Sequence, residues 1–202
     1  AARAFGDPCR RAALRAADPA AAVRHELSER PLPSRAPVHI IALGKAAVGM
    51  AGAAVSVLDQ SKLAFAGGVV VGATDTKQGN PALRRFAGDH PLPGPASARA
   101  AEAVADAVAS VHADHQALVL LSGGASSLAA APVDGVTSGD LAALWSYLLG
   151  SGRDIVAVNT VRKRCLRWGA GRLAAALAPR PVAVLCISDV IGDDPGTVGS
   201  GP

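Results

Sequence analysis

Aromatic residues are scarce, only 3% of 202 residues, so the chain has little with which to stack nucleic-acid bases. Cysteines are few too. Cys9, Cys165 and Cys186 lie far apart and form no CxxC pair, which argues against a disulfide framework and for a reducing, cytoplasmic setting. Cys186 sits inside an apolar run and is expected to be a core residue. No apolar run approaches the roughly 20 residues that span a bilayer, and the N-terminus has no signal-peptide core. The chain begins without Met and stops just past a loop, so both ends are expected to be cut. Neither GxGxxG nor GxxxxGK[ST] occurs, so neither of those two phosphate loops can be claimed.

Apolar residues are plentiful, 50% of the chain, and much of that share is Ala. Ala, Val and Leu suit helices packed closely on a sheet. The net charge of +4 comes mainly from Arg, in short clusters such as Arg10-Arg11 and Arg84-Arg85. With no basic stripe interleaved with aromatics, this charge fits attraction of a small anion better than nucleic-acid binding.

The stretch from Gln116 to Ser127, QALVLLSGGASS, organises the rest. Its apolar run Ala117 to Leu121 reads as a strand buried on both faces, as in a parallel sheet. It ends in Ser122, Gly123 and Gly124, followed by Ser126 and Ser127. Paired glycines let backbone N–H groups approach a ligand, and serine hydroxyls add donors for phosphate or carboxylate oxygens. An ordinary strand-to-helix turn is the plainer reading of such a short motif.

Upstream, Asp7-Pro8 and Asp18-Pro19 each read as an N-cap followed by Pro at the first helical position. Prolines 31, 33 and 37 then precede the first strand, Val38–Leu43, which runs into Gly44-Lys45 and a small-residue helix to about Leu58. A cation near a helix N-terminus is disfavoured by the helix dipole. Lys45 is therefore either turned to solvent or held for an anion, and it is one of only four lysines. Residues 67–71 and 84–87 read as further strands. His90, between Asp89 and Pro91, reads as a surface histidine in a rigid turn.

A helix over Ser97 to Val111 carries its apolar stripe at Ala100, Val104, Val108 and Val111. His112 and His115 at its end suggest a metal pair, but no further ligands stand nearby in sequence. Thr137 to Asp140 resembles a capping box, opening a helix with Leu141, Leu144, Trp145 and Leu148 at core spacing. Asp154 caps the next helix, whose Asn159, Arg162 and Lys163 share one face; a solvated face is the plainer reading there. Residues 181–187 read as another buried strand, which delivers Asp189 and then Asp193. Carboxylates just past a parallel strand suit Mg²⁺, directly or through water.

Lys45, Ser122 to Gly124, and Asp189 each follow a separate strand of buried type. If those strands are parallel, all three lie on one edge of one sheet. A cation, an N–H cradle and a carboxylate on one edge are the equipment of phosphoryl transfer.

The ordered blocks GKA (44–46), HPLP (90–93), LSGGASS (121–127), NTVRK (159–163), GRLA (171–174) and SDVIGDD with SGP (188–194, 200–202) resemble the glycerate 2-kinase family. This is the MOFRL-type family, some of whose members were once labelled hydroxypyruvate reductases. The resemblance runs from about Val38 onward. It implies an α/β fold with a mostly parallel, Rossmann-like sheet and helices on both faces. An N-terminal helical segment, 1–37, would precede the first domain of a two-domain kinase, 38–202. It also implies ATP-dependent phosphorylation of D-glycerate to 2-phosphoglycerate with Mg²⁺, with no nucleic-acid or membrane partner and with homo-oligomerisation left open. Carried over by motif, Lys45 would stabilise phosphoryl charge. Ser122, Gly123, Gly124, Ser126, Ser127, Asn159 and Arg162 would bind substrate or phosphate. Asp189 and Asp193 would serve metal binding, and Asp189 catalysis as well.

Four positions depart from the family pattern: Asp89 before His-Pro, Gly94 after HPLP, Arg164 after NTVRK, and Gly169 where the family carries Lys. Family members are about twice as long, so residues 1–202 alone are expected to be inactive. Two other functions stay open on the sequence. One is an NAD(P)H-dependent hydroxypyruvate reductase, which the missing dinucleotide fingerprint opposes. The other is a non-catalytic phospho-ligand-binding module, which would have no need of Lys45 and Asp189 together.

Overall fold

A computed structural model describes residues 17–74, 79–188, 190, 192, 194 and 196–201. Strands β1 (Val38–Leu43), β2 (Phe65–Gly72), β3 (Leu83–Ala87), β4 (Gln116–Leu121) and β5 (Val182–Cys186) form one sheet in the order β3-β2-β1-β4-β5. Every pairing is parallel. Every residue of β1 and β4 is buried, because the two central strands are covered on both faces and neither side can alternate to polar.

Alternate residues of β1 divide between two cores. Ile41 and Leu43 join Val69, Val71, Val119 and Leu121 beneath α3 (Pro95–Ala109) and α7 (Arg172–Leu177). Ile40 and Ala42 face α1 (Pro19–Glu29) and α2 (Ala47–Gln60), with Val23, Leu27, Met50 and Leu58. The small residues of α2 and α3 let these helices lie close on the sheet. The result is the α/β arrangement, helices on both faces of a parallel sheet, that the family resemblance implies.

Several capping expectations hold. Asp18 accepts from the Ala20 N–H at 3.0 Å to open α1. Thr137 and Asp140 form a reciprocal capping box at α5 (Ser138–Gly150), each side chain accepting from the other's N–H at 3.1 Å. Asp154 accepts from the Ala157 N–H at 2.8 Å to open α6 (Ile155–Cys165). The expected helix at Asp7-Pro8 lies outside the described residues, as does Cys9.

One strand departs from expectation. Residues 181–187 read as a buried strand with Cys186 in the core, yet β5 is one of the two outer strands of the described sheet. Its Val184 is 54% exposed and Cys186 is exposed as well. An apolar run reports hydrophobicity, whereas edge position depends on which strands pair. Among the described residues no helix is long and apolar enough to cross a membrane.

Candidate functional site

The strand order reverses on either side of β1, so the carboxyl ends of β1 and β4 flank the place where an open parallel sheet takes its ligand. Gly44 and Lys45 leave β1, and Ser122 to Gly124 leave β4. The two turns are stitched together: the Lys45 N–H donates to the Gly123 carbonyl and the Ala46 N–H to Ser122 Oγ, both at 3.0 Å. Gly44 has φ +122°, and a Cβ there would overlap both the hydroxyl and the carbonyl of Ser122. Close approach of the two turns thus requires glycine.

The family resemblance implies that Ser122 binds substrate or phosphate; its side chain stands away from the cavity lining. Its side chain is buried and its hydroxyl satisfies an orphan N–H at the start of α2, a helix whose N-cap, Ala46, has no side chain able to do so. Ser122 is a strut between strands, and it does not line the cavity above them.

That cavity, about 510 Å³, is lined by Lys45, His90, Gly123, Gly124, Ser126, Ser127, Asn159 and Arg162, with Ile155, Val156 and residues of the segment 197–200. The sheet edge brings Lys45 and the glycines. A four-residue helix, α4 (Ala125–Leu128), brings the two serines. Helix α6 brings Asn159 and Arg162 from one face, at a spacing of three. The solvated-face reading of α6 therefore fails: Arg162 is only 8% exposed, and Asn159 and Lys163 are half-buried. Burial lowers the Arg162 pKa from its ordinary value, though guanidinium remains charged at any physiological pH. Its Nε is buried with no hydrogen-bond partner among the described residues. A buried, unpartnered donor beside a cavity suits an acceptor oxygen arriving from outside.

Trp145, on α5, fixes two of these groups. Its indole is fully buried, its N–H donates to Ser127 Oγ at 3.3 Å, and the Arg162 guanidinium lies 5.0 Å from its ring centroid. The Ser127 hydroxyl in turn donates to the Pro91 carbonyl at 2.9 Å. Arg172 holds the far end of α6 by donating to the carbonyls of Lys163, Leu166 and Gly169 at 3.0, 3.0 and 2.9 Å. Segment 198–201 returns beside the cavity, where the Ala170 N–H meets the Ser200 carbonyl at 3.0 Å.

His90 is the residue that sequence reasoning left out. It is exposed and in a tight turn, as read, with a cis bond to Pro91; it also forms part of the cavity wall. Partial burial and the charges of Lys45 and Arg162 lower its pKa. The only available signal was its place in the HPLP block.

Asp189 and Asp193 lie outside the described residues. Asp194 is described: its carboxylate accepts from Thr197 Oγ1 at 2.6 Å and the Gly196 N–H at 3.0 Å, and these bonds lower its pKa. Among the described residues no group of three metal-binding side chains comes together. The cavity donors present fit an anion: two cations, backbone N–H groups at paired glycines, and hydroxyls. His112 and His115 lie at the opposite end of the sheet, where His115 Nδ1 and His39 Nε2 are 2.9 Å apart.

Residues 7–202 match the family described as "Domain of unknown function (DUF4147)". The chain is 38% identical over 195 residues to a protein of Agrobacterium vitis provisionally named hydroxypyruvate reductase, covering 95% of this chain and 42% of the relative. It is 36% identical over 170 residues to the D-glycerate 2-kinase of Thermotoga maritima, covering 82% and 39% respectively. The crystal structure of a Thermotoga maritima glycerate kinase superposes with a TM-score of 0.82 at 34% identity, covering 95% of this chain and 45% of that one. The chain thus spans less than half the length of these relatives.

Proposed function

This chain belongs to the glycerate 2-kinase family, and from that premise we propose that the whole protein transfers a phosphoryl group from ATP to D-glycerate, giving 2-phosphoglycerate. Residues 38–202 would be the first of its two α/β domains, with α1 packed on it and the second domain supplying the facing wall of the cleft. The observation that carries the reading is the convergence of Lys45 and Arg162, from separate elements, on one cavity at the sheet's switch point.

Phosphoryl transfer asks mainly for positioning and for charge stabilisation. Lys45 would stabilise negative charge that grows on the transferred group. Gly123 and Gly124 would offer backbone N–H groups, and Ser126 and Asn159 would orient substrate oxygens. Arg162 would bind a phosphate or carboxylate through its guanidinium, which lines the cavity. Ser127, whose hydroxyl already bonds Pro91 and Trp145, would shape the cavity floor.

Mg²⁺ would be held by Asp189 and Asp193, directly or through water, and would neutralise triphosphate charge. The support for that is their chemistry and their position just past β5. Similarity to a protein provisionally named hydroxypyruvate reductase raises a second reading. At the first strand-to-helix turn, however, the chain has Gly44-Lys45-Ala46 where a dinucleotide-binding sheet would carry its glycine fingerprint. A coupled assay on the full-length protein separates the two. D-Glycerate-dependent ADP release is expected. Hydroxypyruvate-dependent NADH oxidation without ADP release would replace the kinase reading with the reductase.

A further inference from the structure

The cavity's described wall is rich in donors and poor in proton acceptors. Lys45 and Arg162 are cations, and no Asp or Glu is among the described lining residues. An alcohol that attacks phosphorus must lose its proton, so a cavity for this chemistry needs a base. His90 is the one described lining residue whose side chain changes charge near neutral pH.

Its neighbours fix where it stands. The ring stands over Gly124: a Cβ built on that glycine would lie 3.3 Å from the His90 Cδ2, 3.4 Å from its Nε2 and 3.3 Å from the Lys45 Cε. The Nε2 edge and the lysine stem thus both border the space above a glycine whose φ is +87°. Both flanks of the turn are tied down. Asp89 accepts from the Ala96 and Ser97 N–H groups at 2.9 and 3.2 Å, and the Pro91 carbonyl accepts from Ser127. No hydrogen bond among the described residues occupies either ring nitrogen of His90.

We propose that His90 is a catalytic residue, its Nε2 taking the hydroxyl proton of the acceptor alcohol during phosphoryl transfer. The inference rests on the kinase reading above. In the step, the alcohol oxygen bonds to the γ-phosphorus of ATP. The bond from that phosphorus to the β–γ bridging oxygen breaks, and ADP leaves with the electron pair. The proton moves to His90 and then to solvent.

The charged groups facing His90 are Lys45 from the β1–α2 turn, Arg162 from α6, and Asp89 in its own turn, whose carboxylate is engaged at the start of α3. Partial burial, with the two cations, lowers its pKa and so favours the neutral, proton-accepting imidazole at neutral pH. A positioned acid or base contributes about 10²–10⁴-fold to rate. A loose phosphoryl-transfer transition state places the loss at the lower end of that range.

The test uses the full-length protein and the His90→Gln variant, whose amide can still hydrogen-bond near the Nε2 position but cannot take up a proton. Initial rates of ADP release with D-glycerate are measured from pH 5.5 to 9, and binding of a non-hydrolysable ATP analogue by calorimetry. Expected are a fall in kcat of about 100-fold, loss of the acidic limb of the kcat/KM profile, and KM and analogue Kd within about threefold of the parent. A variant that keeps kcat and the acidic limb, or one in which only KM rises, overturns the proton-transfer role and leaves the kinase reading standing. If the parent releases no ADP with D-glycerate, the kinase reading falls and this assignment falls with it.

Discussion

The Arg162 guanidinium lies over the Trp145 indole, its Cζ 5.0 Å from the ring centroid, while the same indole donates its N–H to Ser127. One buried ring therefore sets both a cation and a hydroxyl of the cavity. Trp145→Phe keeps a ring face, gives up the N–H and leaves a small cavity at a buried site, so it should cost about 2 kcal/mol of stability. Ligand affinity should barely change. Trp145→Leu removes the ring face too; it should cost about 3 kcal/mol and weaken binding of an ATP analogue about tenfold. Denaturant titration and calorimetry read both effects. Parental affinity in the Leu variant would mean that Arg162 needs no aromatic support.

Lys45 tests the charge-stabilising role. Its backbone N–H bonds to Gly123 and survives substitution, and its side chain is exposed. Lys45→Ala in the full-length protein should lower kcat by about two to three orders of magnitude, the scale for losing one electrostatic stabiliser. The melting temperature should hardly move, since the start of α2 does not favour a cation. Lys45→Arg should rescue poorly, because a planar fork does not replace a compact ammonium. Near-normal kcat in Lys45→Ala would remove the residue from the site.

The parallel sheet, its helices and the junction at Lys45 were legible because they follow from local patterns: unbroken apolar runs, caps and a misplaced cation. Edge position was not; Val184 and Cys186 are exposed because, among the described residues, little covers their face of β5 at the end of the sheet. Nor was the division of labour among the serines. Ser122 and Ser126 are chemically alike, and only the crossing of two turns makes the first a strut. Arg162 looked solvated because its aromatic partner comes from another helix, and His90 looked structural because the cavity beside it is assembled from distant segments.

His39 makes stability pH-dependent. It is buried on β1 with its Nε2 facing His115, and burial, His115 and His112 all lower its pKa from 6.5. In the window from 6.5 down to the lowered value, the unfolded chain binds the proton and the folded one does not. Stability is therefore full above pH 6.5 and falls as pH drops through that window. His90 adds a slope of the same sign, so the comparison must be between variants. Thermal melts from pH 5 to 7.5 should show a shallower acid slope in His39→Gln than in the parent. Equal slopes would mean that His39 takes up its proton as readily folded as unfolded.

Gly44 is the final test, because it separates backbone geometry from side-chain chemistry. At φ +122° an alanine is strained, at about 1–3 kcal/mol, and its Cβ would meet the carbonyl and hydroxyl of Ser122. Relief requires the β1 and β4 turns to move apart, which breaks the Ala46–Ser122 bond and displaces the Lys45 backbone from Gly123. Gly44→Ala should then lose about 3 kcal/mol of stability and, where it still folds, most of its activity. Gly49→Ala is the matched control. It lies on the exposed side of α2 with nothing within 4 Å of the added Cβ. There, alanine should stabilise by up to about 1 kcal/mol through helix propensity alone and leave kcat untouched. Denaturant titrations on both variants decide the matter. Equal, small effects would mean that the two turns tolerate separation and that their close approach does not position Lys45.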